Sequence, residues 1–210
     1  MILHGYFRSS AAWRVRIALN LKGLPAEARA HHLGKGEQFL PDYLALNPQG
    51  LLPSLQLDDG TILTQSPAIC EYLDERHPDP PLLPVDPLAR ARVRAFVQAI
   101  ACDIHPVQNL RVLKALKAAG QSDEDTRAWA RRVIEEGFDA LEAMIAGQAG
   151  PFVFGERPGL ADVFLIPQMG NARRFGAQMR WPRLERADAA CAALPAFADA
   201  RPDQQPDAER

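Results

Sequence analysis

The stretch YFRSSAAWRVRIAL, residues 6–19, decides the fold of this chain. It follows a short apolar strand and carries Trp13 and Ile17 four residues apart, the spacing of one helical face. Ser9 and Ser10 are the N-cap candidates, so we expect the helix to begin at or just after them. A strand that leads into a helix leaves unpaired N–H groups and the positive end of the helix dipole at the loop. The turn is therefore a candidate site for a phosphate, carboxylate or thiolate, although an ordinary capped helix fits these residues equally well.

Composition excludes several classes of protein. With 210 residues, 47% hydrophobic and 24% charged, the chain is predicted to be globular, with one large domain or two small ones. Its net charge of −2 argues against nucleic acid as the main partner. No apolar run approaches the roughly 18 residues of a membrane helix, and the N-terminus has no secretory pattern. We therefore expect a cytoplasmic protein. The three cysteines, Cys70, Cys102 and Cys191, are predicted to be small core residues.

Residues 1–82 alternate short strand and helix signals. A second strand within 26–33 is predicted to lie parallel to the first, because a helix connects the two. Residues 51–57 and 61–64 then predict a hairpin, and a helix follows with Ser66 as its N-cap. The order β-α-β-α-β-β-α is that of a small thioredoxin-like domain.

Strand signals disappear after about residue 86. Helical patterns replace them over about 86–118, 123–147, 160–172 and 184–198. We predict an α/β plus all-α chain, with a thioredoxin-like domain at 1–82 and a C-terminal helical-bundle domain at 86–210. The last ten residues, RPDQQPDAER, are polar and contain proline, so we expect them to form a loose tail.

The predicted active turn contains no sulfur. In a thioredoxin-like domain this turn holds a reactive Cys-x-x-Cys pair, and here it reads Ser9-Ser10-Ala11-Ala12. The turn cannot exchange disulfides with its own thiols, but a hydroxyl and the helix dipole remain to stabilise a thiolate that a bound cofactor brings. Glutathione is the obvious thiol cofactor.

Two further segments fit a bound peptide. Gln65 and Ser66 at a helix start suit the γ-glutamyl carboxylate of glutathione, although without a ligand they form a capped helix. The backbone of Leu52 can pair with the cysteinyl amide in the manner of an added strand. Leu52-Pro53 is a candidate cis peptide bond, which would turn nearby backbone groups toward a ligand.

The histidines do not predict a metal site. His31 and His32 are adjacent and would face opposite sides of a strand, while His4, His77 and His105 are isolated in the sequence. A place near the active site and a packing role at a helix kink are equally open for His105. Arg14 and Arg16 are interpreted as structural or interfacial residues.

Five motifs make the chain resemble the zeta class of glutathione transferases. They are SSAAWRVRIAL at 9–19, NPQGLLPSL at 47–55, QSPAICEYL at 65–73, GLADVFLIPQ at 159–168 and NARRF at 171–175. The first is highly specific to the class, and QSP is shared by glutathione transferases generally. The resemblance covers residue 2 to about residue 198. It implies the glutathione transferase architecture, a homodimer, and glutathione as the cofactor.

The resemblance also implies an activity and a set of site residues. The activity is cis–trans isomerisation of maleylacetoacetate to fumarylacetoacetate, in aromatic amino-acid catabolism, by reversible addition of the glutathione thiolate to this dicarboxylic diketo acid. Ser9 and Ser10 would face the thiolate, and Arg8 and Arg174 would grip the carboxylates of the substrate. The other implied cofactor contacts are Ala11, Gln38, Leu52, Pro53, Gln65, Ser66, Asp103, His105, Asn109 and Arg111.

The chain departs from the class at two positions. Ala11 stands where the class usually has cysteine, so we expect isomerase activity without side reactions of that thiol. Gly159 replaces the usual serine or threonine before the GLAD helix, which costs only a few tenths of a kcal/mol.

Other functions remain open at this point. Maleylpyruvate or haloacids are alternative substrates for the same class of enzyme, and a glutathione-binding regulator without catalysis is a rival from another class. A disulfide reductase is disfavoured because residues 1–69 contain no cysteine.

Overall fold

The computed structural model describes residues 1–209, and the chain forms two compact units. The first unit is Met1–Leu82 together with the segment that begins at Ala192, and the second is Leu83–Cys191. This division differs from the expected domain at 86–210, because the C-terminal segment packs with the first unit. Asn20 Nδ2, for example, donates a hydrogen bond to the Ala196 carbonyl at 3.0 Å.

A four-stranded sheet organises the first unit. Its strands, in the order β2-β1-β3-β4, are β1 Ile2–Gly5, β2 Glu27–Ala30, β3 Ser54–Gln56 and β4 Ile62–Thr64. β2 runs parallel to β1, and β3 is antiparallel to both β1 and β4. The predicted thioredoxin-like element order is confirmed, with one parallel crossover followed by a hairpin.

Three helices complete this order, α1 Ser10–Leu21, α2 Pro41–Leu46 and α3 Ser66–Arg76. Ile17 of α1 and Ile69 of α3 are fully buried in the core of the unit. The prediction that Ser66 is the N-cap of α3 is wrong. Gln65 holds that position with φ of 66°, so the helix begins one residue earlier than the proline suggested.

The second unit is helical, as predicted. Its helices are α4 Pro87–Gln98, α5 Leu110–Ala118, α6 Asp123–Met144, α7 Leu160–Phe175 and α8 Pro182–Ala192, and the short α9 Pro195–Ala198 follows within the first unit. Among the described residues, no helix is long and apolar enough to span a membrane.

The helix predicted over 86–118 is interrupted. After α4 the chain forms a π-helical segment, Ala99–Ile104, and α5 begins only at Leu110. Pro106 explains why regular helix does not continue, because it has no N–H to donate to the helical hydrogen bonding. Within the π-helical segment, Ile104 packs against Gly137 of α6, where any Cβ would overlap its side chain.

Residues 201–209 do not form the loose tail that their composition suggested, and Arg210, the last residue of that prediction, lies outside the described residues. They contain a 3₁₀ turn, Pro202–Gln204, and Asp207 accepts a hydrogen bond from the backbone N–H of Phe7 at 2.9 Å. Polar contacts of this kind carry no apolar periodicity, so the sequence pattern did not indicate them. The cysteine prediction is also corrected: Cys70 and Cys191 are buried, but Cys102 is exposed.

A buried carboxylate fixes the start of α7. Asp162 is 1% exposed and accepts hydrogen bonds from the N–H groups of Val153 at 3.0 Å and Gly159 at 2.9 Å. Burial raises the pKa of Asp162 to about 6. The side chain thus joins the N-terminus of α7 to the loop before it, with glycine at the N-cap.

Replacing Asp162 tests this role. We expect Asp162→Ala to lower the free energy of unfolding by about 2–4 kcal/mol, because the buried Val153 N–H and the partly buried Gly159 N–H lose their acceptor. Asp162→Asn keeps one acceptor oxygen and should lose less. Urea denaturation measures both, with Glu136→Ala on the surface of α6 as the control. Equal stability of Asp162→Ala and wild type would contradict the assignment.

Candidate active site

The turn from β1 to α1 presents a hydroxyl at a helix N-terminus. Ser9 is the N-cap of α1, as predicted, and its Oγ accepts a hydrogen bond from the Ala12 N–H at 3.2 Å. The Ser9 N–H donates to the Tyr6 carbonyl at 2.9 Å. Because Oγ acts as an acceptor toward the helix, its hydroxyl proton can be donated to an anion in front of the turn. Ser9 and Ser10 are each 8% exposed, so such an anion would be largely desolvated.

A buried arginine connects this turn to the start of α3. Arg14 of α1 is 2% exposed, and its Nη1 donates to Ser66 Oγ at 3.2 Å. Ser66 is therefore held as an acceptor with its own proton free for a carboxylate, and a positive charge lies directly behind it. The sequence indicated only a structural or interfacial role for Arg14. Its position among the apolar residues of α1, on the buried face, was the available signal.

A third part of the site is the segment before β3. The Leu52-Pro53 peptide bond is cis, as predicted. Tyr43 donates its hydroxyl to the Leu51 carbonyl at 2.6 Å, and Asn47 Nδ2 donates to the same oxygen at 2.8 Å. These two side chains hold the segment from behind, which leaves the Leu52 backbone to form further contacts.

Two glutamines stand beside this segment. Gln65 is exposed, and its Nε2 donates to Gln49 Oε1 at 2.8 Å. Gln38 lies in the 3₁₀ turn Glu37–Phe39 and is only 6% exposed. Its buried Oε1 has no hydrogen-bond partner among the residues that the structure describes. A buried carbonyl oxygen without a donor is costly, so this atom is a candidate contact for a ligand N–H group.

Arg8 and Ala11 complete the predicted residues of the first unit. Arg8 is exposed, with its guanidinium 5.7 Å from the centroid of the Phe7 ring. Ala11 is partly exposed in the first turn of α1. The turn thus carries one accessible cation beside a hydroxyl.

In the second unit, four predicted residues share one short segment. Asp103 is exposed in the π-helical segment, and His105 follows it half-buried. Asn109 is the N-cap of α5 and accepts from the Leu110 N–H at 2.8 Å, and Arg111 is exposed in the first turn. π-helical segments are rare and often occur at functional sites.

Arg174 lies on another helix of the second unit, in the last turn of α7. It is exposed, with its guanidinium 5.4 Å from the centroid of the Phe175 ring, and its carbonyl accepts from Arg127 Nη1 at 3.2 Å. Its neighbour Arg173 forms an ion pair with Asp188. The two adjacent arginines therefore have different surroundings.

His4 is isolated in the sequence but has a histidine neighbour in the fold. Its Nδ1 lies 2.9 Å from Nε2 of His31, because β1 and the chain just after β2 run side by side. The His31 ring also packs on Tyr43, with centroids 4.5 Å apart. Burial lowers the pKa of both histidines, and the neighbouring His4 lowers the pKa of His31 further. The described part of the chain contains no group of three or more side chains able to hold a metal ion.

Comparison with known proteins agrees with this fold. Residues 3–81 match the family described as the N-terminal domain of glutathione S-transferase, and residues 88–199 match its C-terminal domain. The chain belongs to the glutathione S-transferase family.

Several relatives are similar over nearly their whole length. Maleylacetoacetate isomerase of Pseudomonas aeruginosa is 49% identical, with 99% of this chain and 98% of that protein covered. Maleylpyruvate isomerase of Ralstonia sp is 47% identical, with 99% of each covered. Among solved structures, the holo form of a maleylpyruvate isomerase, a bacterial zeta-class enzyme, has a TM-score of 0.96, 46% identity and full coverage of both chains. Maleylacetoacetate isomerase from Anaeromyxobacter dehalogenans with bound glutathione has a TM-score of 0.90 and 47% identity, covering 99% of this chain and 97% of that one.

The histidine pair predicts a pH dependence of stability. The unfolded chain binds protons at histidines with a pKa of about 6.5, whereas the folded chain holds His4 and His31 neutral to lower pH. Their contribution to stability is therefore complete above about pH 6.5 and is lost as the pH falls through the lowered folded-state pKa.

We expect His31→Gln to weaken this dependence. Between pH 7 and pH 5, wild type should lose more free energy of unfolding than the variant does, as chemical denaturation at each pH would show. His77→Gln lies outside the pair and serves as the control. The same loss in wild type and in His31→Gln would contradict the assignment.

Proposed function

We propose that this protein is a zeta-class, glutathione-dependent cis–trans isomerase that converts maleylacetoacetate to fumarylacetoacetate. The observation that carries the proposal is the capped turn at Ser9, which presents a hydroxyl and a helix N-terminus but contains no thiol. A relative named maleylacetoacetate isomerase is 49% identical over nearly the whole chain. Maleylpyruvate is the second candidate substrate, since a relative named maleylpyruvate isomerase is 47% identical.

The first unit has the groups that glutathione requires. Ser66, backed by the Arg14 guanidinium at 3.2 Å, suits the γ-glutamyl carboxylate. The Leu52 backbone beside Pro53 can pair with the cysteinyl amide, and the unpartnered Gln38 Oε1 can accept from an N–H of the peptide. Gln65 adds an exposed amide at the start of α3. A solved relative carries glutathione in its active site, which supports this assignment.

The turn at Ser9 stabilises negative charge on sulfur. The chemistry that bound glutathione supplies is reversible thiolate addition to the cis double bond, which permits rotation to the trans form. The Ser9 hydroxyl would donate a hydrogen bond to the sulfur, and the first-turn amides after Ser10 and the helix dipole would lower the thiol pKa. With Ala11 at this position the protein has no thiol of its own there, and the reaction does not need one.

Arginines are the groups suited to the substrate, which is a dianion. Arg8 and Arg174 are exposed and can form planar, bidentate contacts with carboxylates. Arg111 lies in the first turn of α5, where a cation is unfavourable toward the helix dipole, so helix stability does not explain it. We assign these three arginines to carboxylate binding, and Asp103, His105 and Asn109 to further contacts with cofactor or substrate.

Two other properties belong to the same proposal. The zeta-class resemblance supports a homodimer, which sedimentation equilibrium at several protein concentrations would test. It also supports a cytoplasmic location.

Turnover measurements test the proposed function directly. We expect the purified protein to isomerise maleylacetoacetate only when glutathione is present, and to act on maleylpyruvate at a lower kcat/KM. A higher kcat/KM for maleylpyruvate would make maleylpyruvate the assigned substrate. If the protein turned over neither compound, the isomerase assignment would be overturned.

Ser9→Ala separates catalysis from simple binding. We expect kcat/KM to fall about ten- to a hundredfold, because a hydrogen bond to a charged group is lost. If the protein only bound glutathione, wild type would show no turnover, and Ser9→Ala would bind glutathione with unchanged affinity.

Ser122→Ala is the matched control for helix capping. Ser122 caps α6 in the same way, since its Oγ accepts from the Asp125 N–H at 3.1 Å. Both variants should lose about 1 kcal/mol of stability, and only Ser9→Ala should lose activity. Equal activity in the two variants would contradict the role of Ser9.

A further inference from the structure

The C-terminal segment returns to the turn that carries Ser9. Asp207 Oδ2 accepts a hydrogen bond from the Phe7 N–H at 2.9 Å, two residues before Ser9. Both residues belong to the first unit. A carboxylate that accepts from a backbone N–H forms a stronger bond than a neutral acceptor does.

Arg16 holds the same residue from its other side. Its Nη2 donates to the Phe7 carbonyl at 3.0 Å, and its Nε donates to the Ala200 carbonyl at 3.0 Å. Burial lowers the pKa of Arg16 to about 10, while the nearby Asp207 carboxylate opposes that shift. Arg16 therefore stays charged at neutral pH. The Phe7 N–H is held by the Asp207 carboxylate, and the Phe7 carbonyl is held by the Arg16 guanidinium.

The segment is attached to this region a second time. Glu209 Oε1 lies 2.6 Å from His32 Nε2, and the hydroxyl of Tyr6 lies 3.4 Å from the same nitrogen. Tyr6, Phe7 and the C-terminal segment thus form one hydrogen-bonded layer behind the turn.

The position of Ser9 depends on this layer through the backbone. The Tyr6 carbonyl accepts from the Ser9 N–H, so the tight turn from Tyr6 to Ser9 closes around the peptide group of Phe7. The chain entering this turn also approaches α1 closely, since a Cβ at Gly5 would lie 3.2 Å from Ala12 Cβ. A displaced Phe7 would therefore shift the Ser9 hydroxyl and the first amides of α1 together.

We propose that Asp207 is a positioning residue: together with Arg16 it fixes the backbone of Phe7 and so aims the Ser9 hydroxyl and the N-terminus of α1 at the bound thiolate. This inference rests on the proposed function for the thiolate, but the placement of the turn can be measured without it.

Asp207→Ala should shift the pKa of the bound thiol in opposite directions, depending on whether Asp207 acts by positioning the turn or only through its negative charge. Loss of a negative charge alone would favour the thiolate and lower the pKa of the bound thiol. If the turn is displaced, the thiolate is stabilised less and that pKa should rise. The acid limb of the pH profile of kcat/KM would then move up by about 0.5–1 unit. We expect kcat to fall about tenfold with little change in the KM for glutathione.

Two further variants separate the acceptor from the charge. Asp207→Asn keeps an oxygen that can accept from Phe7, so kcat should stay within about threefold of wild type and the acid limb should not rise. Asp207→Glu keeps the charge but extends the acceptor by one methylene, so it should behave like Asp207→Ala. Asp203→Ala removes an exposed carboxylate paired with Arg201 in the same segment and should change nothing.

Amide hydrogen exchange of the glutathione-free protein supplies a readout besides activity. Exchange at Ser9–Ala12 should be about tenfold faster in Asp207→Ala and Asp207→Glu than in wild type and Asp207→Asn. Unchanged exchange there, a lowered acid limb in Asp207→Ala, or identical behaviour of the Ala and Asn variants would each overturn the proposal. If Asp207→Ala fails to fold, the Glu and Asn variants decide between the same outcomes. If wild type shows no glutathione-dependent turnover, the proposed function fails, and the exchange comparison still tests Asp207.

Discussion

The first N–H groups of an α-helix have no carbonyl partners within the helix, and in this chain those of α1 lie directly beyond the end of β1. Ser9 satisfies one of them through its Oγ, at 3.2 Å from the Ala12 N–H, and keeps its own proton. A related turn with cysteines would carry out thiol chemistry itself. With Ser9-Ser10-Ala11-Ala12 the same electrostatics remain, but the sulfur must come from a ligand.

Buried and partly buried charged side chains hold α1 in place along its length. Arg14 bonds to Ser66 at the start of α3, and Arg16 bonds to the backbone of Phe7 and Ala200. Near the C-terminus of the helix, Lys22 Nζ forms an ion pair with Asp74 at 2.6 Å. Each charge is costly to bury alone, but each is hydrogen-bonded to a specific neighbour. These contacts make the helix direction, and therefore the direction of its N-terminus, hard to change.

Local patterns predicted much of this from the sequence. The Ser9 cap, the cis Leu52-Pro53 bond and the order of strands and helices each depend on neighbouring residues, so short-range rules identified them. Contacts between distant residues were not predicted. The His4–His31 pair, the Arg14–Ser66 bond and the return of Asp207 to Phe7 join parts of the chain that only the folded sheet brings together. The close packing of Ile104 against Gly137 of α6 is likewise a contact between distant residues.

The central claim is that this thiol-free turn stabilises a thiolate supplied by a ligand. Titration of wild-type protein saturated with glutathione, followed by the ultraviolet absorbance of the thiolate, measures that stabilisation directly. The account predicts a thiol pKa about one to two units below the value of about 8.5 typical of a free thiol. A bound thiol with an unshifted pKa, or no binding of glutathione at all, would contradict it.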